Sequence, residues 1–243
     1  MVGSIASPGS PQEQLGRLFL AAILVVFMPY LPLGNYVIYP FTILTTWFHE
    51  MGHGLTAMAL GNDFERLVIL PTGSGYAEST MFGNSRVERA LVAAGGPLGP
   101  SVIGSILILA SSQRKFWHPA LYILSGALIV STLIWVRSMV GIIVLPAVAI
   151  LLVVIAQRGR AGFVRFTLQF LGVLAAMSMF RDWDYLFSQS ASIAGQVMLS
   201  DTGAIAQALF LPYWFWAGAI IMLSAAMILA SLKIALKNRL PNW

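Results

Sequence analysis

Charged residues along this chain gather in short intervals. Between them run apolar stretches close to the ~20 residues that cross ~30 Å of hydrocarbon at 1.5 Å per residue. Seven stretches are expected to be helical: Pro11 to Leu31, Tyr36 to Leu60, Ala90 to Ala110, Pro119 to Val136, Ser138 to Ala156, Phe163 to Phe180 and Leu211 to Leu232. The first ends in the turn-rich segment Pro29 to Asn35, and the fourth and fifth form a tight helical hairpin around Arg137. After the second stretch the period changes. Phe64 to Leu70 places Phe, Arg, Val and Leu on one face and Glu, Leu and Ile on the other, and Pro71-Thr-Gly-Ser-Gly75 turns it into Tyr76 to Thr80. That pattern predicts a β-hairpin. The expected fold class is an all-α polytopic membrane protein with about seven transmembrane helices and a short β-hairpin after the second. Residues 1–10, rich in Gly, Ser and Pro, are expected to form a mobile tail. With no internal repeat and no long linker, residues 11–243 read as a single membrane domain.

Composition agrees with this pattern. Of 243 residues, 58% are hydrophobic and 9% charged, and mean hydropathy is +0.82, whereas a soluble domain carries roughly 25% charge. These figures exclude a soluble enzyme and a disordered chain. The net charge of +5 is not gathered into a patch, so no nucleic-acid partner is expected; the expected surroundings are the lipid bilayer. The first span lacks a basic start and a clear cleavage site, and is read as retained. Lys and Arg divide almost evenly between the two faces of a seven-span chain, which leaves orientation open. The chain has no Cys, so any metal must be held by His and carboxylate.

One constellation carries chemistry. The second stretch contains His49-Glu50-Met-Gly-His53, an HExxH motif. On a helix, His49 and His53 share one face a turn apart and can ligate one zinc ion. Glu50 projects beside them, where a carboxylate can take a proton from a metal-activated water and pass it to a leaving amine. Two of the chain's three His are used in this motif. A carboxylate in the middle of a membrane helix costs roughly 2.5–3.5 kcal/mol on insertion scales, which marks Glu50 as functional. The third His, His118, beside Phe116, Trp117 and Pro119, reads as an interfacial residue, as do the anchors Trp117, Tyr213, Trp214 and Trp216.

Two imidazoles leave a catalytic zinc one protein ligand short. The candidates are Asp182, Asp184 and Asp201. Each has a structural reading as well: Asp182 can pair with Arg181, and Asp201 can cap a short helix from Thr202 to Leu211.

These residues resemble the site-2 protease group of intramembrane zinc metallopeptidases, and more closely its short subgroup without a PDZ insertion. The resemblance runs from His49-Glu50-Met-Gly-His53-Gly-Leu-Thr-Ala57 through the hairpin of Phe64 to Gly75 to Ala94-Gly-Gly-Pro-Leu-Gly-Pro100, and returns at Ser200-Asp201 and Pro212-Tyr-Trp214. It implies an intramembrane zinc endopeptidase in the cell membrane that cleaves membrane-embedded substrates. One zinc would sit on His49 and His53, with Glu50 as base and Asp201 favoured as third ligand over Asp182 and Asp184. The sequence departs from better-known members in two places. It has no Asn-Pro-x-x-x-x-Asp-Gly segment, and Gly96-Pro-Leu-Gly-Pro100 stands where they carry Gly-Pro-x-x-Asn. The alternative is a non-catalytic membrane transporter or scaffold that retains the fold.

Two further features bear on the site. The hairpin reads either as a connector or as an edge that holds an extended substrate by strand addition. Gly95, Gly96, Gly99 and Gly104, with Ser101 and Ser105, allow a helix to approach closely, and the zinc-bearing helix is the expected neighbour. Pro97 and Pro100 are expected to loosen that end of the third span and free carbonyls near the site.

Overall fold

A computed structural model describes residues 11–83 and 85–237. The tail expected over residues 1–10 lies outside the described residues. In chain order the elements are α1 (Pro11–Phe27), α2 (Gly34–Ala59), β1 (Asp63–Ile69), β2 (Gly75–Thr80), α3 (Arg86–Ser111), α4 (Trp117–Ile134), α5 (Met139–Arg158), α6 (Ala161–Arg181), α7 (Trp183–Leu186), β3 (Ser190–Ile193), β4 (Gln196–Leu199), α8 (Asp201–Ala208) and α9 (Tyr213–Lys237). Among the described residues six helices, α1, α3, α4, α5, α6 and α9, are long and apolar enough to cross a membrane. The remaining expected span, α2, has the length at 26 residues but not the apolarity. From Thr42 to Thr56 it carries four Thr, two His and Glu50, and it is lodged among α3, α5, α6 and the hairpin. The protein is an integral membrane protein of mainly helical architecture.

The central helix is α3, which touches α2, α6, α8 and α9. Its small residues set the approach. A Cβ on Gly95 would fall 2.6 Å from the Gly52 carbonyl oxygen, one on Gly99 2.6 Å from that of Phe48, and one on Gly104 2.8 Å from that of Gly172. Backbone therefore meets backbone on both sides of α3, as small-residue seams permit in membranes. Contrary to expectation, α3 runs through Pro97 and Pro100 without a break.

The β1–β2 hairpin folds back against α2. Thr46 Oγ1 donates to Gly73 O (2.5 Å) and Tyr39 Oη to Pro71 O (3.0 Å). Gly54 leaves room for the Phe64 ring, 2.4 Å from where its Cβ would stand. The outer edge of β1 is closed by the turn between α4 and α5: Leu67 N donates to Trp135 O, Arg137 N to Leu67 O (both 2.9 Å), and Ile69 N to Ser138 Oγ (3.0 Å). The register pairs Leu67 with Ala77 and Ile69 with Gly75. Since the main-chain groups of Leu67 point away from β2, Leu67 and Ala77 form a non-hydrogen-bonded pair, and alternation turns the polar groups of Ala77 and Gly75 toward the opposite edge. Among the described residues no strand pairs with that edge.

Two residues read as peripheral lie inside. Trp117, expected as an interface anchor, is fully buried: its indole N–H donates to Ser111 O (2.9 Å), and Arg165 lies over its ring. Arg165, four residues into α6, is 1% exposed and donates to Gln14 Oε1 at 3.0 Å and Ser111 O at 3.3 Å. With the Glu13 carboxylate 3.7 Å away, capping a helix end and stacking on an indole satisfy the charge without solvent, a pairing invisible to a count of charges at span ends.

Candidate metal centre

Residues 49 to 53 lie in the second half of α2, where the helix faces α3. His49 and His53 are mostly buried, and their Nε2 atoms lie 3.3 Å apart. His53 Nδ1 is 2.8 Å from Val92 O on α3. A carbonyl only accepts, so Nδ1 carries the proton and Nε2 is the ring nitrogen turned toward the site. This is the outer hydrogen bond that usually fixes a metal-ligating imidazole. Glu50 is 5% exposed, one residue further round the helix. The hairpin covers it: a Cβ on Gly75 would fall 3.2 Å from Glu50 Cγ.

The third group arrives from α8. Asp201 Oδ2 lies 3.0 Å from His49 Nε2 and Oδ1 3.2 Å from His53 Nε2. The expectation that Asp201 caps its helix is corrected: Ser200 is the N-cap, its hydroxyl accepting from Gly203 N at 3.0 Å. The hydroxyl satisfies the helix end, and the Asp201 carboxylate at the first helical position is left for the site. Asp182 and Asp184 do not join this cluster among the described residues; Asp184 is exposed, and so is His118.

The donor set fits a zinc ion. Bonds of about 2.0–2.1 Å in a tetrahedron separate ligand atoms by roughly 3.3–3.4 Å, close to the 3.0, 3.2 and 3.3 Å found here. Asp201 Oδ2 is buried with no hydrogen-bond partner, as suits a carboxylate oxygen that would ligate a cation. The cradle also requires glycine on α3, since a Cβ on Gly96 would lie 2.1 Å from His53 Nε2 and 2.8 Å from His49 Nε2. Sequence reasoning assigned Gly96 to helix packing; its place against the imidazoles has no local signal. It also passed over Tyr185 on α7, whose ring meets His49 edge-on with centroids 6.3 Å apart.

Neither a search of curated proteins nor one of solved structures returns a match. A protein-family model described as Peptidase M50B-like matches residues 18–231. The match takes in α2, the hairpin, α3 and α8, and so every residue of the His49, His53 and Asp201 cluster. This chain belongs to the Peptidase M50B-like family.

Proposed function

We propose that the protein is an intramembrane zinc endopeptidase, with the metal held by His49, His53 and Asp201 and with Glu50 as general base and acid. The observation that carries this reading is the meeting of Asp201, from the far end of the chain, with the two His of α2 beside a buried carboxylate. Zinc bound there supplies Lewis acidity, which lowers the pKa of water and polarises a carbonyl.

The chain's own residues do the rest. The Val92 carbonyl holds His53 in the ligating tautomer, and the Gly52, Gly95 and Gly99 seam fixes α2 against α3. Glu50, shielded by the hairpin, takes the proton of the attacking water and returns it to the leaving amine. A substrate helix has its peptide groups tied in hydrogen bonds and must be held extended to react. The edge of β2 at Gly75 and Ala77 offers unpaired main-chain groups for that purpose, and Gly75 abuts Glu50.

Glu50→Gln keeps shape and removes the base. Purified variant protein should retain zinc at wild-type stoichiometry while cleavage of a membrane-embedded test substrate falls at least about 10²–10⁴-fold, the usual worth of general acid–base catalysis. Cleavage at the wild-type rate refutes the role of Glu50. Wild-type protein without zinc by elemental analysis refutes the metal assignment and leaves the non-catalytic transporter or scaffold.

A further inference from the structure

The β3–β4 hairpin separates α7 from α8, yet the two short helices are tied together at its base. Ser200 Oγ donates to Ser188 O (2.5 Å), Thr202 Oγ1 to Leu186 O (2.7 Å) and Ser200 N to Gln189 O (3.1 Å). A Cβ on Gly203 would fall 2.1 Å from Gln189 O, so the strands of chain approach more closely than any side chain at that position allows. This staple brings Tyr185 against Asp201. The phenol ring packs on the His49 imidazole, with centroids 6.3 Å apart, and Asp201 Oδ2 lies 3.0 Å from Nε2 of that same imidazole, so phenol and carboxylate both bear on His49. The two rings stand at 71° to each other. A phenol both donates and accepts, so it can donate to a carboxylate. A carboxylate that ligates with one lone pair keeps others facing a dry interior. A neutral donor there compensates them and fixes the orientation of the ligand.

We propose that Tyr185 is a positioning residue of the metal centre, donating a hydrogen bond to the Asp201 carboxylate and holding it turned toward His49 and His53. This rests on the ligand assignment proposed above. Tyr185→Phe retains the ring and its contact with His49 and deletes only the oxygen. The melting temperature of the metal-free variant should match that of the metal-free wild type. Its zinc Kd, from chelator competition, should weaken about 10–100-fold, the usual effect of losing an outer-shell partner. Because the hydroxyl acts through Asp201, the same change in an Asp201→Ala background should cost nothing further. An unchanged Kd, or an equal loss in both backgrounds, overturns the proposal and leaves the ligand assignment standing. Wild-type protein that takes up no zinc overturns the assignment itself.

Discussion

At the scale of single residues, the candidate site is built as much by absent atoms as by present ones. Two imidazoles and a carboxylate converge because Gly96 has no Cβ to stand between them, and because Ser200 rather than Asp201 caps α8. Gly96→Ala is therefore a sharp probe. Alanine favours a helix over glycine by about 1 kcal/mol, so the substitution should not unfold α3 by propensity. Its methyl, however, would stand 2.1 Å from His53 Nε2, and α3 cannot retreat while Gly95 and Gly99 are seated against α2. The variant should remain folded and lose most of its zinc by elemental analysis. Full zinc occupancy would mean that the imidazoles reach the metal from another side. His49, Glu50 and His53 were legible in the sequence because one helical turn contains them, whereas Asp201 was one of three candidates because its partners lie across the fold.

At the scale of elements, legibility followed how local each signal was. The seven long helices and the first hairpin were readable because hydrophobic period and turn residues announce them within a few residues. The segment from α7 to β4 was not, although the short helix offered from Thr202 onward forms as α8. α7 has 4 residues, too short for a period. The β3–β4 turn relies on Ala194 at φ 53 followed by Gly195 at φ 78, a left-handed pair that Asn-Gly would have advertised and Ala-Gly does not. The first hairpin yields the prediction for this scale. Since the main-chain groups of Ala77 turn away from β1, Ala77→Pro removes an N–H that the hairpin itself does not use, and proline is tolerated at a strand edge. If substrate pairs there, losing a hydrogen bond worth about 0.5–1.5 kcal/mol should lower kcat/KM roughly 2–13-fold, with zinc content unchanged. Unaltered kinetics would return the hairpin to the role of a connector.

At the scale of the whole molecule, α3 is the axis against which both halves of the site are registered. One of its faces fixes α2 through the glycine seam, while α8 and α9 pack on it as a separate cluster that includes Ala90, Ala93, Ile205 and Ala217. Without a metal, α8 is joined to α2 at the site by the contacts of Asp201 with two imidazoles. A zinc ion shared between these two helices would add a link that only the folded state possesses, so metal binding and folding would be coupled. A ligand present at 100 times its Kd stabilises by about 2.7 kcal/mol. Removing zinc with a chelator should therefore lower the melting temperature in detergent or bilayer discs, and re-adding zinc should restore it. The loss should also be uneven. Amide exchange should accelerate through α7, β3, β4 and α8, which hold few buried apolar side chains, and change less in α5, which packs mainly on α4. A metal-free protein with the same melting temperature and the same exchange in α8 would show that the two halves are held together without the ion.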